Sequence, residues 1–364
     1  MSGHGSFPPP GALPGAAPSS APPLVPPPPG PPLAGGHWHR AAHKPGAVPL
    51  RPLGVGDMYD ATFKIIRFNP RATVGSAVLV ASLAMALPLV VTGALTTVLD
   101  LTFDPGASEA DVSGEQLAGL LGSFGSLLLG MVLMSFGMIF VTGMIAHVVM
   151  AATLGRLLSL GEAWAATEGK RWRLVGLAGL LFVATSAILV VYGLTWVPVV
   201  MAFEVWAAVV YGFVTVPLLI AGMFWFWVRV AYLPAAVLML EDVGVLGAIG
   251  RGFALVGRHF WRTFGIALLT YVIAQIAGSM LAMPFSLVAQ FAPVLAGTGA
   301  TLVLVMVGFT ALGTVVSAAF VAPFTTTVAV LQYVDLRMRK EAFDVELMTR
   351  AGLPAPTRPE AHQR

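Results

Sequence analysis

The sequence predicts an all-α polytopic membrane protein: six transmembrane helices arranged as three hairpins, each preceded by an amphipathic helix at the cytoplasmic membrane surface. Three observations predict this fold. Of the 364 residues, 57% are hydrophobic and only 10% are charged, whereas soluble domains carry about 25% charged residues. Six apolar stretches are long enough to cross a bilayer. All Lys and Arg residues fall on one side of these stretches, as in membrane proteins that follow the positive-inside rule.

Each apolar stretch has about 20 residues or more, the length that a helix needs to cross the hydrocarbon core. Prolines lie inside four of the stretches (Pro88, Pro217, Pro284, Pro323), and a fifth stretch ends at Pro198. Kinking or tilt can accommodate the longer stretches. The predicted spans are Thr73 to Leu99, Leu121 to Val148, Leu174 to Pro198, Val205 to Val228, Phe264 to Ala289 and Leu302 to Thr326.

The charges of the connecting segments predict the orientation. The 20 Lys and Arg residues lie before the first span, between the second and third, between the fourth and fifth, and after the sixth. The opposite connections hold acidic residues and no basic residue. We therefore expect a multi-pass protein of the cytoplasmic membrane with both termini in the cytoplasm. The excess of Arg over Lys, with abundant Ala, Gly and Val, is typical of a GC-rich genome and suggests an actinobacterial source.

The chain divides into three predicted regions. Residues 1–50 hold 15 of the 28 prolines, with Gly, Ala and Ser between them, which predicts a disordered cytoplasmic tail. Residues 51–348 form the membrane domain, and residues 349–364 a flexible C-terminal tail. The proline runs favour polyproline II, so the first tail is either a binding segment for a soluble partner or a plain solvated tether.

No metal or cofactor is predicted. His37, His39 and His43 lie in the N-terminal tail, where no fixed geometry would hold an ion, and the chain contains no cysteine. The acidic segment Asp100 to Glu115 does not match the spacing of an EF-hand loop, so we expect a solvated external face there.

An amphipathic segment precedes each odd-numbered span. In residues 54–70, charged side chains share one helical face, whereas Tyr59, Phe63 and Ile66 share another. This helix is expected to end before Asn69-Pro70. Residues 159–173 open with Ser159 and Glu162 at the spacing of a capping box, with an ordinary basic loop as the alternative.

The third amphipathic segment, residues 244–262, has an apolar stripe of Leu246, Ile249, Phe253, Val256 and Phe260 opposite its arginines. Because the basic residues gather in short groups beside apolar runs, we expect them to contact anionic lipid headgroups of the inner leaflet and not nucleic acid. The predicted interfacial basic residues are Lys64, Arg67, Arg71, Lys170, Arg171, Arg173, Arg251, Arg258 and Arg262.

These segments also carry a resemblance to a known family. The motifs are LRPLGVGDMYDATFKIIRFNPRA, LGRLLSLGEAWAATEGKRW, LEDVGVLGAIGRGFALVGRHFWRTFG and YVDLRMRKEAFDVEL. They resemble the actinobacterial glycerophosphoryl diester phosphodiesterase membrane domain family over about residues 50 to 348. The resemblance implies a helical membrane domain that some relatives attach to a phosphodiesterase domain. The longest ordered polar connection here, about 20 residues, is too short for such a barrel, and we expect no enzyme activity.

Few polar side chains lie within the predicted spans. His147 and Gln275 are expected to form interhelical hydrogen bonds, with a proton-relay role as the less favoured alternative for His147. Glu204 lies in the tight turn between the third and fourth spans and is expected to be hydrated. These residues and Arg229 are the candidate intramembrane polar or lipid-contact sites.

Arg229 allows two interpretations. Either the fourth span ends near Arg229, which snorkels while residues 230–240 lie along the interface, or the arginine is buried in the bundle. A buried Arg229 would need a carboxylate from Glu241, Asp242 or Asp335, or else an anionic lipid headgroup. The first interpretation is favoured.

Two functions remain open at this point. The first is a non-enzymatic scaffold or interaction module of the cell envelope, and the second is a transporter or lipid-handling protein built from parallel hairpin repeats. The second predicts a cavity at membrane depth lined by His147, Gln275 or Arg229. The first function predicts a packed bundle in which those side chains are hydrogen-bonded within the protein. The absence of charged residues from the spans favours this first function.

Overall fold

The structure is a computed structural model that describes residues 46–49, 51–98, 114–296 and 300–350. Most of the predicted N-terminal tail, nearly all of the acidic segment Asp100 to Glu115 and the C-terminal tail beyond residue 350 lie outside the described residues. Within the described residues the regular structure is entirely helical, which confirms the predicted fold class.

Twelve helices follow one another in the described chain. They are α1 (Val55–Phe68), α2 (Pro70–Val98), α3 (Gly114–Thr153), α4 (Leu160–Ala165), α5 (Arg171–Ala202), α6 (Val205–Phe226), α7 (Pro234–Leu240), α8 (Val245–Val256), α9 (Phe260–Gln290), α10 (Ala292–Ala296), α11 (Ala300–Glu341) and α12 (Phe343–Arg350). The described chain contains six helical stretches that are long and apolar enough to cross a membrane, and they include α2, most of α3, α5, α6, α9 and α11. They match the six predicted spans, although α3 and α11 are much longer than predicted.

Helix α1 follows the predicted boundaries. It ends at Phe68, Asn69 follows as its C-cap, and α2 begins at Pro70, because helical geometry is disfavoured at the residue before a proline. Tyr59 and Phe63 pack their rings against Phe324 of α11, with centroids 5.8 and 5.5 Å apart. The fully buried face is rotated from the predicted one and consists of Met58, Ala61, Thr62 and Ile65.

Helix α4 has the predicted start but not the predicted length. The Ser159 hydroxyl accepts the backbone N–H of Glu162 at 3.2 Å, and the Glu162 carboxylate accepts the N–H of Ser159 at 2.7 Å. The helix ends after six residues at Ala165, and the chain turns through Gly169, whose φ of +77° suits glycine. The predicted amphipathic helix over 159–173 is therefore one short helix followed by turns.

The segment after α6 differs from the favoured interpretation. Helix α6 gives way to a π-helical turn at Trp227–Ala231, and α7 follows at Pro234. Six of the seven residues of α7 are buried, so residues 234–239 lie inside the protein and not along the interface. These apolar side chains are buried because α7 packs against α3 and α8.

The buried face of helix α8 coincides only in part with the predicted apolar stripe. Its buried residues are Ala248, Gly252, Leu255 and Val256, whereas Leu246 is 74% exposed. Helix α8 lies close to α7 at Gly252, where a Cβ would lie 3.4 Å from the ring of Pro234. Of the stripe, Val256 is buried, whereas Leu246 and Phe253 are exposed.

The helices form two unequal parts. Helices α2, α3, α9 and α11 pack together, with α11 in contact with the other three. Helices α1, α7 and α8 close this bundle at the end where the basic residues lie, and the largest buried cluster lies there. We call this region, with the last turns of α11 and with α12, the charged end. Helices α5 and α6 form a peripheral hairpin, and α6 has no buried residue.

Candidate functional site at the charged end and in the lateral groove

A buried aspartate organises the charged end. Asp335 of α11 is fully buried and accepts the backbone N–H of Leu53 at 2.8 Å. Its carboxylate also pairs with Arg262 of α9 and, at 2.9 Å, with Arg339 of α11. Both guanidinium groups donate to the Leu53 carbonyl, at 2.7 and 3.2 Å. The chain before α1 is thereby fixed to α9 and α11 by charge-assisted hydrogen bonds.

A second network joins α7, α8 and α11. The Glu241 carboxylate accepts from Arg251 Nε at 2.9 Å and from the Tyr333 hydroxyl at 2.8 Å. Glu341 pairs with Arg251 and, at 2.9 Å, with Arg337. Glu241 and Glu341 therefore neutralise the positive charges of Arg251 and Arg337.

The predicted basic residues around α5 also bind within the protein. Lys170 Nζ donates to the carbonyls of Met239 and Glu241 at 3.1 and 2.9 Å, at the C-terminal end of α7, where a cation is favoured. Arg171 stacks over the Trp164 ring at 4.2 Å, and Arg173 approaches Asp242 at 3.3 Å.

The basic residues of α1 and α2 lie at the surface. Lys64 pairs with Asp60 at 2.6 Å, one helical turn away. Arg67 and Arg71 are exposed, and no carboxylate of the described residues lies within ion-pair distance of either. Their predicted lipid contact stays a prediction.

Arg229 stacks on aromatic rings. Its guanidinium carbon lies 4.4 Å from the centre of the Phe253 ring and 5.7 Å from that of Phe260. Nη1 donates to the Phe253 carbonyl at 3.4 Å, while Nε is buried without a partner. The carboxylates that the sequence offered to Arg229 are bound to other basic residues. Helix α6 ends at Phe226, three residues before Arg229, but the apolar stretch of the fourth span continues to Leu240. Whether Arg229 snorkels at the membrane surface stays a prediction.

His147 lies in α3 beside a cavity of about 250 Å³. The cavity also contacts Arg337, Tyr333 and Phe343, together with Met150, Met239 and Leu240. Nε2 of His147 is buried and has no hydrogen-bond partner, so the described structure does not contain the interhelical hydrogen bond expected for this atom.

Gln275 lines a larger cavity between α9 and α11. It has a volume of about 360 Å³, is open at the side of the bundle, and we call it the lateral groove. Its polar lining consists of Gln275, Ser286, Thr310, Thr314 and Ser317, with Met134, Phe309 and Val321 among its apolar residues. None of the lining side chains is charged.

The Gln275 side chain is exposed and makes no hydrogen bond to any described residue, contrary to the interhelical bond expected. Three of the groove hydroxyls differ from it, since Ser286, Thr310 and Thr314 donate to carbonyls of their own helices at 2.7–2.9 Å. The amide is thus a polar group in the groove with its hydrogen-bonding capacity unused.

Two further features complete the candidate sites. Glu204 is the exposed residue that precedes α6, in agreement with a hydrated turn. A purely apolar cavity of about 380 Å³ lies between α2 and α3 and is bounded by Trp164 of α4. Its apolar lining matches the chemistry of a lipid acyl chain.

Asp335, Glu241 and Glu341 are the centres of the charged end, a role that was not predicted from the sequence. A signal was present in α11, where Asp335 and Arg339, and likewise Arg337 and Glu341, stand four residues apart, the spacing of ion pairs on a helix. That spacing would have extended the sixth helix beyond Thr326.

No family model, curated protein or solved structure matches the chain. The resemblance to the glycerophosphoryl diester phosphodiesterase membrane domain family therefore stays a prediction that rests on the sequence motifs. The six apolar helices indicate an integral membrane protein.

Proposed function

We propose that the protein is a non-enzymatic, lipid-handling protein of the bacterial cytoplasmic membrane, with both termini in the cytoplasm. It takes an uncharged, hydrogen-bonding part of a lipid into the lateral groove. The observation that carries the proposal is the Gln275 amide, which faces this groove without a partner. Of the two functions that the sequence leaves open, lipid handling is the one that predicts a cavity lined by this residue.

The depth of Gln275 makes its missing partner significant. It lies about 22 Å along the axis of α9 from Phe260, within a hydrocarbon core of about 30 Å. No water hydrogen-bonds to a polar group in the hydrocarbon core, and an unsatisfied amide there costs several kcal/mol. An ester, hydroxyl or amide of a lipid would supply the partner. The uncharged lining favours such a group over a phosphate.

Lipid photo-crosslinking tests this proposal. The purified full chain in nanodiscs would be exposed to a lipid that carries a photoreactive group near its ester carbonyls, and the labelled peptides identified by mass spectrometry. We expect labelling of the α9 and α11 peptides that line the groove. Gln275→Leu should reduce this labelling several-fold, and Thr310→Trp, which fills the groove from an exposed position, should reduce it as well.

The matched control is Ser279→Leu. Ser279 is exposed on the same helix, one turn from Gln275, and its hydroxyl donates to the Ile276 carbonyl at 2.9 Å. It does not line the groove, so this change removes a polar group from α9 without altering the cavity. Labelling that is equal in Gln275→Leu, Ser279→Leu and the wild type would refute the proposal.

The scaffold or interaction module is the second candidate, and the α5–α6 hairpin favours it. No residue of α6 is buried, so the face of α6 that does not contact α5 is available to another membrane protein. The predicted proline-rich tail would recruit a soluble partner. Deletion of residues 1–50 that leaves both the membrane localisation and the set of co-purifying proteins unchanged would argue against this role.

A further inference from the structure

The cations around the C-terminal end of α8 and the last turns of α11 fall into two classes. Arg251, Arg262, Arg337 and Arg339 each form an ion pair with Glu241, Asp335 or Glu341. Arg229, Arg258 and Lys340 have no carboxylate within ion-pair distance among the described residues. We call these last three the cation triad. Glu341 is adjacent to Lys340 in sequence, but its carboxylate is bound to Arg251 and Arg337.

The cation triad gathers at the C-terminal end of α8. Lys340 Nζ donates to the Ala254 carbonyl at 2.8 Å, and Arg229 Nη1 donates to the preceding carbonyl, of Phe253, at 3.4 Å. Arg258 lies in the 3-10 turn that follows α8, and both arginines act electrostatically on the Lys340 ammonium. Three like charges converge on one small surface, which stabilises a bound anion.

The three side chains differ in how they are held. Arg229 is stacked on the rings of Phe253 and Phe260, which fixes the plane of its guanidinium group. Lys340 is oriented by its bond to Ala254. Arg258 is exposed and makes no hydrogen bond to another described residue, so its guanidinium can close over a ligand. The planar guanidinium group of Arg229, held beside an oriented ammonium and an exposed second guanidinium, suits the oxygens of a phosphate.

Tryptophans around the cation triad indicate its depth. Trp225 contacts Phe253 at a centroid distance of 6.3 Å, and Trp261 contacts Phe260 at 5.4 Å. Trp225 and Trp261 are 48% and 78% exposed. Tryptophan side chains concentrate at the level of lipid headgroups, so the triad lies where the phosphate of a membrane lipid would be found.

We propose that the cation triad binds the phosphate group of an anionic phospholipid. The inference rests on the lipid-handling role proposed above only in that both require the chain to be embedded in a bilayer. It concerns a second site, of opposite chemistry: the lateral groove has no charge, whereas the triad carries three. The proposal also separates the predicted interfacial arginines into two groups. Arg258 is free to bind lipid, whereas Arg251 and Arg262 form ion pairs within the protein.

Anionic lipid retention tests the cation triad. The full chain would be extracted from nanodiscs that contain phosphatidylcholine with a minor fraction of phosphatidylglycerol, and the co-purifying lipid measured by native mass spectrometry. The test variant is Arg258→Gln with Lys340→Gln. Since each surface cation contributes appreciably to the binding of anionic lipid, we expect about a tenfold loss of retained phosphatidylglycerol. Retention of phosphatidylcholine should not change.

The matched control is Arg67→Gln with Arg71→Gln, which removes two exposed cations from α1 and α2. The net charge changes equally, so general attraction of anionic lipid would weaken both proteins alike. Equal retention of phosphatidylglycerol by the two double variants would overturn the proposal. Arg258→Glu, a single change at an exposed side chain, provides a second test that does not disturb the bond between Lys340 and Ala254.

Free phosphate distinguishes the two possible sources of the anion. If millimolar inorganic phosphate binds the wild type but not the double variant, while both proteins retain phosphatidylglycerol equally, the triad binds a soluble phosphate and the lipid assignment is wrong. If the double variant loses phosphatidylglycerol and phosphate does not displace this lipid from the wild type, the lipid is the ligand. Groove labelling in the same samples separates this proposal from the preceding one. If a variant that has lost phosphatidylglycerol still shows normal labelling near Gln275, the lipid-handling proposal stands. If a variant loses labelling near Gln275 but still retains phosphatidylglycerol, the cation-triad proposal stands.

Discussion

The charged end and the α5–α6 hairpin are stabilised in different ways. At the charged end, buried carboxylates bind arginines from distant parts of the chain, and apolar side chains are fully enclosed. In the hairpin, the Tyr192 and Thr215 hydroxyls are 3.1 Å apart and Tyr211 donates to Thr195 at 2.6 Å, while most other side chains face outward. The charged end is therefore stabilised by ion pairs and buried apolar packing, whereas the two helices of the hairpin are held together by a few polar contacts at close helix spacing.

The largest expected effect is at Asp335. Asp335→Ala leaves Arg262 and Arg339 without their carboxylate and removes the acceptor for the Leu53 N–H. Loss of one partner of a buried ion pair costs about 3–5 kcal/mol. We expect about 3 kcal/mol, because both arginine side chains remain 30% exposed. Thermal unfolding in detergent measures it. Lys64→Gln, which breaks only an exposed pair, should change stability by less than about 0.5 kcal/mol.

Two glycine substitutions compare packing in the four-helix bundle, which the charged end closes, with packing in the hairpin. A Cβ at Gly278 of α9 would lie 2.5 Å from both Ser317 Oγ and Val321 Cγ2, whereas a Cβ at Gly222 of α6 would have nothing within 4 Å. Gly278→Ala should destabilise the bundle by about 1–3 kcal/mol through overpacking. Gly222→Ala should be neutral or slightly stabilising, since alanine favours helix. Equal unfolding temperatures of the two variants would contradict the assigned difference between the regions.

Within the hairpin, Tyr211→Phe removes one polar contact. Because the Tyr211 hydroxyl donates to Thr195 between two otherwise apolar helices, we expect a loss of about 0.6 kcal/mol. Hydrogen exchange should become faster in α5 and α6 while the bundle helices keep their protection. Faster exchange throughout the protein would mean that the hairpin is coupled to the core and that the comparison is wrong.

The smallest effect concerns the exposed surface near the charged end. The backbone N–H of Ser159, and then its side chain, hold the pKa of the Glu162 carboxyl below its ordinary value. A lowered pKa in the folded state means that the capping interaction is present above the usual glutamate range and is lost as the pH falls through the lowered value. NMR titration of Glu162 should show this shift. Ser159→Ala removes only the hydroxyl and should restore part of the ordinary value.

Much of the local structure could be predicted from the sequence. The six spans follow from hydropathy, the boundary at Asn69-Pro70 follows from proline geometry, and the start of α4 follows from the spacing of Ser159 and Glu162. Each of these signals lies within a few residues of the feature that it predicts. Local sequence is sufficient in such cases because the physical cause is also local.

The tertiary features could not be predicted in the same way. The bond between Leu53 and Asp335 joins residues 282 positions apart, and no local pattern encodes such a pairing. The buried face of α8 includes Gly252, where α7 approaches closely, and it therefore coincides only in part with the apolar stripe that helical spacing defines. Gln275 is unpaired because of the shape of the space between α9 and α11, which depends on the assembled bundle.

The attachment of the segment before α1 has a mechanical consequence. Val48 is fully buried, the Ala47 N–H donates to the Ala152 carbonyl at 2.9 Å, and Leu53 is bonded to Asp335, Arg262 and Arg339. Tension applied upstream would therefore reach α3, α9 and α11 directly instead of peeling α1 away first. A load on the amino-terminal segment would pull on the same helices that line the lateral groove.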